Sequence, residues 1–213
     1  MESTHKFSME TKILSINDPD ALTLASAILA SGGLVAFPTD TVYGLGALAF
    51  NNEAVSRISD VKGRTAEKAI PILIGDLNQL SEVTSSVDFQ SEKLARHFWP
   101  GALTIVLPRH AAIPDAVTPL QTVGVRIPDF PATIKLLKMT GPLAVSSANI
   151  TGLSSSSTAR GVLSQLEGKI ALILDGGVTP GGIPSTVMEL QQGSPKILRE
   201  GPITLEQILN NLA

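Results

Sequence analysis

Residues 34–46 of the chain read LVAFPTDTVYGLG. The first four are apolar and predict a short buried strand, and the rest predict a polar loop that contains glycine. Glycine permits backbone conformations that other residues resist, so such a loop can approach a ligand closely. Because open α/β sheets hold their ligands where strands end, this stretch indicates both the fold class and the place of a functional site.

The sequence on both sides continues the alternation of helix and strand. A first helix is predicted at 21–31, with Asp18 as its cap and Gly32 and Gly33 at its end. Further helices are predicted at 52–61, 77–83, 91–99, 132–139, 159–166 and 205–212. Further strands are predicted at 70–74, 103–107, 123–127, 143–145, 170–174, 186–190 and 196–198. With no internal repeat or linker, we expect one α/β domain at 12–213 after a flexible tail at 1–11.

The composition indicates a folded protein with a large apolar core. Hydrophobic residues make up 43% of the 213 residues and charged residues 16%, which excludes a wholly disordered chain. The chain has no cysteine, its three histidines show no ligand spacing, and it lacks the usual nucleotide and hydrolase motifs. Its net charge of −3 means that any basic site must be local. Without a secretory signal or an apolar run of about 20 residues, a cytoplasmic location is expected.

Polar residues cluster where the predicted helices and strands end. They are cations and hydroxyls, with one amide and few carboxylates. The set comprises Thr39, Asp40, Thr41, Tyr43, Lys62, Arg64, Lys68, Arg126, Ser147, Asn149, Ser185, Thr186 and Arg199. Such a composition predicts a pocket for a polyanion such as a nucleoside triphosphate.

Each of these groups also has a structural interpretation. Hydroxyls near strand ends commonly cap helices or tie turns. Lys62 and Arg64 could complement a helix dipole, and Tyr43 could pack its ring against the sheet. Arg126 differs because it interrupts an apolar strand, where an arginine needs a partner. A ligand carboxylate is one candidate for that partner.

Seven short segments carry a resemblance to a known family. In chain order they are PTDTVYGLG at 38–46, KGR at 62–64, WPGALT at 99–104, VGVRIP at 123–128, SAN at 147–149, STV at 185–187 and LREG at 198–201. Together they resemble the YrdC family over residues 12–213, and the paired K-x-R and S-x-N elements are the hallmark of that family. The resemblance implies a twisted, mixed parallel and antiparallel sheet, flanked by helices around a concave cleft. It also implies the short form, since nothing follows residue 213 that could form an extra C-terminal domain.

The activity implied by this resemblance is synthesis of threonylcarbamoyl-AMP from L-threonine, bicarbonate and ATP, with release of pyrophosphate. The product would serve the N6-threonylcarbamoyladenosine (t6A) modification of tRNA position 37, through downstream threonylcarbamoyl transferase proteins. Threonine's amine would combine with bicarbonate, and the carbamate oxygen would attack the α-phosphate, with Mg²⁺ accompanying ATP. Such chemistry needs positioning and charge neutralisation, so no general base is assigned. A tRNA or other structured RNA is a further expected partner.

Matching positions transfer the family's binding residues to this chain. Thr41, Arg126 and Ser185 would hold threonine, with Arg126 pairing its carboxylate. The residues that would hold ATP are Lys62, Arg64, Lys68, Thr122, Ser147, Asn149 and Arg199. Further candidates are Tyr43, Ser157 and Thr186. Variants Arg64→Ala and Arg126→Ala are expected to fold normally and to lose activity.

Two positions depart from several relatives, which carry asparagine and a downstream histidine after the K-x-R element. This chain has Lys68 and Leu73 there. Lys68 can still reach a phosphate, whereas Leu73 cannot donate a hydrogen bond to threonine.

Two other hypotheses remain open. A YrdC-like protein could hold structured RNA in its cationic cleft without catalysis, and its affinity would then depend on salt. A different adenylating or carbamoylating enzyme would accept another small substrate. Segment 154–157 is expected to move and close over the ligand, because its small polar residues bury little.

Overall fold

The computed structural model describes residues 10–63 and 68–212, so Arg64 and most of the tail expected at 1–11 lie outside the described residues. The strands are β1 (Lys12–Ser15), β2 (Val35–Phe37), β3 (Gly44–Leu48), β4 (Ile72–Leu73), β5 (Leu103–Pro108), β6 (Thr122–Arg126), β7 (Leu143–Ser147), β8 (Leu172–Asp175), β9 (Thr186–Gln191) and β10 (Ser194–Arg199). The α-helices are α1 (Ala21–Ala30), α2 (Asn52–Lys62), α3 (Leu80–Val83), α4 (Phe89–Phe98), α5 (Pro131–Thr140), α6 (Ala159–Leu166) and α7 (Leu205–Leu212), and a 3-10 turn at Leu77–Gln79 precedes α3.

Within the described residues, the strands form one ten-stranded sheet in the order β1-β8-β2-β3-β7-β4-β6-β5-β9-β10. The pairs β1–β8, β2–β8, β4–β6 and β5–β9 are parallel, and the remaining neighbours are antiparallel. The predicted α/β class and mixed sheet are therefore confirmed. Strands β1 and β10 form the two edges.

Apolar side chains pack on both faces of this sheet. Successive residues of a strand point to opposite faces, and in β2 Val35 and Phe37 belong to one buried cluster while Ala36 belongs to the other. Helices α1 and α5 cover the Phe37 face, and α2, α4, α6 and α7 contribute to the cluster that contains Ala36. The sheet is thus the middle layer of three. No described helix combines the length and the apolar character that a membrane span requires.

The start of α1 differs from the sequence prediction, in which Asp18 is the cap. The N-cap is Asp20, and its side chain makes no capping hydrogen bond. Asp18 instead closes a turn before the helix: its Oδ1 accepts from Asp20 N at 2.9 Å, and its carbonyl accepts from Ala21 N at 3.1 Å. The side chain bonds to the backbone two residues on, which is the habit of aspartate in turns.

Strand β3 occupies residues that the sequence analysis assigned to a loop. A Cβ added at Gly44 would lie 2.6 Å from Val145 Cγ1, and one added at Gly46 would lie 2.8 Å from Phe37 Cε1. Both glycines therefore admit side chains from the neighbouring strands β7 and β2. Glycine inside a strand often marks such a close approach, and the pattern that predicts a loop here belongs to a tightly packed central strand.

The strand order brings the expected site residues to one end of the sheet. Gly44 at the start of β3 pairs with Ser147 at the end of β7, and Leu103 at the start of β5 pairs with Thr186 at the start of β9. Arg126 ends β6 at the same side, because β6 runs antiparallel to β5. The loop after β2, the end of β7 and the end of β6 therefore converge, as the sequence analysis expects of strand ends.

Candidate active site

A cavity of about 470 Å³ lies at this end of the sheet, within the range of small-molecule sites. The predicted residues that line it are Thr39, Thr41, Tyr43, Lys62, Lys68, Arg126, Ser147, Asn149, Ser185 and Arg199. They come from the loop after β2, the end of α2 and the region after it, the end of β7 and the turn that follows, the ends of β6 and β10, and the residue before β9. The structure thus gathers most of the predicted site around one space.

The remaining predicted residues are placed elsewhere. Thr122 begins β6, at the opposite end of that strand from Arg126. Thr186 Oγ1 donates to the Ile203 carbonyl at 2.7 Å and accepts from Ile203 N at 2.9 Å, and the Ser157 carbonyl accepts from Thr179 N at 2.9 Å. None of the three is among the described residues that line the cavity. Their ligand contacts, and those of Arg64, stay predictions.

Arg126 is buried and held on three sides by the protein. Its Nε donates to the Gly101 carbonyl at 2.8 Å and its Nη1 to Thr41 Oγ1 at 3.1 Å. Its Nη2 forms an ion pair with Asp40 Oδ1. The partner that an arginine in an apolar strand requires is therefore supplied by the chain itself, where the sequence analysis offers a ligand carboxylate.

These contacts leave part of Arg126 available. A guanidinium has five N–H donors, and three are used by the contacts to Gly101, Thr41 and Asp40. Burial lowers the pKa of Arg126, Asp40 opposes that shift, and nearby Arg199 adds to it. Since arginine stays protonated in proteins even so, the cavity wall presents a fixed positive charge with donors to spare for a carboxylate.

Arg199 and Ser185 form a second polar group on the wall. Arg199 Nη2 donates to the carbonyl of Ser185 at 2.8 Å and to its Oγ at 3.0 Å. Ser185 Oγ also lies 2.9 Å from Thr104 Oγ1. Burial lowers the pKa of Arg199, and among the described residues no carboxylate forms an ion pair with it. Among the residues that the structure describes, its hydrogen-bond partners are neutral groups, so an anionic ligand fits beside it.

Lys62 ties the end of α2 to the turn after β7. Gly63 caps the helix in the left-handed conformation, at φ 60°, and the Lys62 side chain is buried at 3% exposure. Its Nζ donates to the carbonyls of Ser147 and Asn149, the latter at 2.6 Å. A surface role in complementing the helix dipole is therefore excluded, because the ammonium is directed inward to the cavity.

Asn149 carries an unsatisfied acceptor. Its Nδ2 donates to the carbonyls of Ile150 at 2.9 Å and Leu153 at 2.8 Å. Its Oδ1 is buried and has no hydrogen-bond partner among the described residues. A buried acceptor without a donor is costly, and this one belongs to a cavity-lining residue. A ligand amine or hydroxyl would satisfy it.

Tyr43 combines a packed ring with a fixed hydroxyl. The hydroxyl donates to the Gly177 carbonyl at 2.8 Å and accepts from Gly176 N at 3.1 Å. Burial raises the pKa of Tyr43 to about 12, so the phenol is neutral over the physiological range. The side chain therefore anchors the glycine-rich segment 176–184 to the cavity wall, which accords with the packing interpretation.

Two further residues of the wall are Leu73, named above as a departure from the family pattern, and Thr104, which is not among the predicted site residues. Leu73 on β4 is the cross-strand partner of Arg126 on β6, so both side chains lie on the same face and Leu73 adds an apolar wall. Thr104 contacts Ser185 from β5. The sequence signal for Thr104 is a hydroxyl in an otherwise apolar strand next to the WPG turn, whereas Leu73 is noticed only through its position after the K-x-R element.

The sequence also matches a family model. The Sua5/YciO/YrdC model, described as "Telomere recombination", matches residues 27–201. The chain belongs to the Sua5/YciO/YrdC family. Members of this family include a Bacillus subtilis protein named threonylcarbamoyl-AMP synthase, which is 42% identical over 98% of this chain and 61% of its own length. A Mycobacterium tuberculosis protein named putative threonylcarbamoyl-AMP synthase is 36% identical over 93% of this chain and 94% of its own length.

Solved structures of the family share the fold. The structure of Pyrococcus abyssi Sua5 complexed with L-threonine superposes with a TM-score of 0.88 at 40% identity, over 95% of this chain and 60% of that one. Escherichia coli YciO gives a TM-score of 0.79 at 25% identity, over 94% and 99% of the two chains. The chain thus spans about 60% of the length of its Bacillus and Pyrococcus relatives.

Proposed function

We propose that the chain is an L-threonylcarbamoyladenylate synthase, a nucleotidyltransferase that makes threonylcarbamoyl-AMP and pyrophosphate from L-threonine, bicarbonate and ATP. The names of the Bacillus and Mycobacterium relatives support this activity, and the threonine complex of the Pyrococcus relative supports the amino-acid substrate. The product then serves t6A modification of tRNA position 37 through downstream threonylcarbamoyl transferase proteins. The proposed location is the cytoplasm, and direct contact with tRNA is part of the same proposal.

The observation that carries the proposal is the charge of the cavity wall. Lys62, Lys68, Arg126 and Arg199 all line one cavity of about 470 Å³, and no carboxylate is among its described lining residues. The positive charge of four cations complements the negative charge of a triphosphate and an amino-acid carboxylate. A site with this composition stabilises charge that moves onto pyrophosphate, and it needs no covalent nucleophile.

In this proposal the lining of the cavity forms two parts. Arg126 and Thr41 form the side that pairs the threonine carboxylate, next to the apolar wall of Leu73. Arg199, Lys62, Lys68, Ser147 and Asn149 form the ATP side, where the unsatisfied Asn149 Oδ1 accepts from the nucleotide. The threonine amine combines with bicarbonate to form a carbamate and water, and the carbamate oxygen attacks the α-phosphate while pyrophosphate leaves.

Mg²⁺ belongs to the ATP in this scheme. Among the described residues, no group of three or more His, Cys, Asp or Glu side chains could hold a metal ion. The nearby carboxylate of Asp40 is already paired with Arg126. In this proposal the ion enters as part of the nucleotide substrate, and it neutralises phosphate charge together with the lysines and arginines.

The test is release of pyrophosphate from ATP by the purified chain, with and without L-threonine and bicarbonate, with the product identified by mass spectrometry. Turnover is expected only when both co-substrates are present. Arg199→Gln should reduce turnover by at least about tenfold, because it removes one charged contact. Arg160→Gln is the matched control, since Arg160 is an exposed arginine on α6 outside the cavity lining.

Two other results would indicate a different function for the chain. Turnover with serine or another amino acid in place of threonine would indicate a different adenylating or carbamoylating enzyme. ATP binding without turnover, together with RNA affinity that falls steeply with salt, would indicate an RNA-binding protein of this fold.

A further inference from the structure

Asp40 is a charged group of this region that the proposed reaction does not use directly. It lies in the loop between β2 and β3, and its side chain is 13% exposed. Its Oδ1 contacts Arg126 Nη2 and also accepts from Asp129 N at 3.1 Å. Asp40 is not among the described residues that line the cavity, so its route to a bound substrate runs through Arg126.

The contacts of Arg126 fix the direction of its remaining donors. The Gly101 carbonyl and the Thr41 hydroxyl each accept one N–H, at 2.8 and 3.1 Å. Asp40 accepts a third and is the only charged acceptor of the set. Charge-assisted hydrogen bonds are roughly twice as strong as neutral ones. Asp40 therefore contributes most to holding the plane of the guanidinium.

The electrostatic surroundings add a second reason for this contact. Arg199 lies close enough to disfavour the charge on Arg126, and Asp40 offsets that effect. Arg126 itself is 5% exposed, so water screens the repulsion only weakly. Without Asp40, the buried guanidinium of Arg126 would face the charge of the more exposed Arg199 with no carboxylate to offset it, and Arg126 would be expected to turn away from its present direction.

We propose that Asp40 is a positioning residue for the threonine carboxylate: it holds the Arg126 guanidinium so that its two unused N–H groups face the substrate. This inference rests on the proposed function, because it takes Arg126 as the group that binds threonine. The backbone of Asp40 is held independently, since its carbonyl accepts from Gly181 N at 3.0 Å. A side-chain substitution therefore changes the contact to Arg126 without releasing the loop.

The test compares Asp40→Ala and Asp40→Asn with the parent chain in steady-state kinetics. Asp40→Ala should raise the KM for L-threonine by about tenfold or more, while the KM for ATP changes by less than about twofold. Asp40→Asn should raise the threonine KM by a smaller factor, because the amide oxygen still accepts a neutral hydrogen bond. If Asp40→Ala fails to fold, the threonine KM of Asp40→Asn alone tests the inference.

The control is Asp129→Ala. It removes an exposed carboxylate beside Asp40 and keeps the backbone N–H that contacts Asp40, so it should retain the threonine KM of the parent. A threonine KM unchanged in both Asp40 variants, or an equal rise in both KM values, would overturn the inference. Calorimetric titration of the parent with L-threonine and ATP distinguishes failure of this inference from failure of the proposed function. A parent that neither binds threonine nor turns it over would contradict the proposed function itself.

Discussion

Arg126 combines a binding role with a structural one. It is 5% exposed in the middle layer of the molecule, and Asp40 is its ion-pair partner. Removing one member of a buried pair leaves the other charge without compensation, which costs more than the pair contributes. The ion pair therefore adds a cost in stability to the expectation from the sequence that Arg126→Ala folds normally and loses activity.

We predict that Arg126→Ala abolishes threonine-dependent turnover and also lowers the free energy of unfolding by about 3 kcal/mol. Chemical denaturation measures the second effect. The double variant Asp40→Ala/Arg126→Ala should regain part of the lost stability, because no isolated charge remains. An Arg126→Ala chain as stable as the parent would show that Asp40 finds water or another partner at no cost.

Gly201 supports the site from the turn after β10. A Cβ at this position would lie 2.3 Å from Thr186 N, 2.5 Å from Ser185 C and 2.6 Å from Pro184 O. All three are backbone atoms, so none can move aside as a side chain could. We predict that Gly201→Ala lowers the free energy of unfolding by about 2 kcal/mol or more and reduces turnover, because Ser185 and Arg199 are displaced together.

The control for that substitution is Gly161→Ala in α6. The nearest atoms to its added Cβ are side-chain atoms of Thr158 and Ser156, the closest at 3.2 Å. Helix propensity favours alanine, so stability should stay within about 1 kcal/mol of the parent. Thermal or chemical unfolding of both variants checks the pair, and equal losses would contradict the argument from backbone contact.

At the scale of single elements, α4 owes its start to Asp88. Asp88 Oδ1 accepts from Ser91 N at 2.9 Å, and its Oδ2 accepts from the Ser91 hydroxyl at 2.6 Å. Burial alone would raise the pKa of Asp88, but these hydrogen bonds outweigh it and lower the pKa below 3.8. The ionised cap is therefore more stable in the folded chain than in the unfolded one.

A depressed folded-state pKa means that the contribution of Asp88 is present above the unfolded pKa and is lost as pH falls through the folded pKa. We predict that Asp88→Ala costs about 1 kcal/mol at neutral pH and less at acid pH. Asp88→Asn is the matched variant, because asparagine caps equally well and does not titrate. Unfolding curves of the three chains at neutral pH and below pH 4 provide the measurement; a pH-independent difference between aspartate and asparagine would contradict it.

The two halves of segment 152–157 differ in their exposure and in their hydrogen bonds to the rest of the chain. Near its end, the Ser156 carbonyl accepts from Tyr43 N at 3.0 Å and the Ser157 carbonyl accepts from Thr179 N at 2.9 Å. Residues 152–154 are exposed, and Leu153 is a large apolar side chain at 55% exposure. The closure that the sequence predicts for 154–157 is therefore best placed in the first half of the segment, next to the cavity.

We predict that ATP and L-threonine together slow hydrogen exchange of the amides at 152–155 and leave those of α4 unchanged. Mass-spectrometric exchange of the chain with and without the ligands would measure this. Protection that is the same in both states would contradict closure. The remote helix α4 is the internal control for a general change in stability.

The elements divide into those that local sequence specifies and those that tertiary structure specifies. Helices such as α6 and α7 follow from periodic apolar residues and capping signals, and their predicted bounds agree with the structure. Strand β3 cannot be predicted from local sequence in this way, because its glycines are explained only by Val145 and Phe37 on neighbouring strands. Strand β1 is missed because it pairs with β8, about 160 positions away in the sequence.

The same division holds in the candidate site. Cations and hydroxyls at strand ends are visible in the sequence, and most of them line one cavity. The pairing of Asp40 with Arg126 spans 86 positions, and no local pattern specifies it. The burial of Lys62 against the carbonyls of Ser147 and Asn149 is likewise set by how α2 meets β7.

At the scale of the whole molecule, both faces depend on one sheet. Leu29 of α1 and Leu94 of α4 are fully buried in different clusters, which share the strands between them. We predict that Leu29→Ala and Leu94→Ala each lower the free energy of unfolding by about 2–5 kcal/mol. Each should shift the transitions seen by Trp99 fluorescence and by circular dichroism together.

The two signals report on different parts of the molecule: Trp99 fluorescence reports on one face of the sheet, and circular dichroism reports on the entire chain. Trp99, the single tryptophan, packs in the same cluster as Leu94. Leu24→Ala is the control, because Leu24 lies on α1 at 36% exposure, and it should change stability only slightly. If Leu29→Ala shifted circular dichroism and left the Trp99 transition in place, the two faces would unfold independently.

The two outer strands of the sheet have a consequence for behaviour at high concentration. Strand edges carry backbone groups that can pair with another chain, which is a route to aggregation. Here β1 is four residues long and begins with Lys12. Strand β10 contains Pro195 and Lys196, and its register shifts between Ile197 and Arg199. Proline cannot donate to a new ladder and a shifted strand cannot pair evenly, which protects β10, while the short length and the lysine of β1 protect the other edge. Both margins of the sheet are therefore expected to resist the growth of fibrils from one molecule to the next.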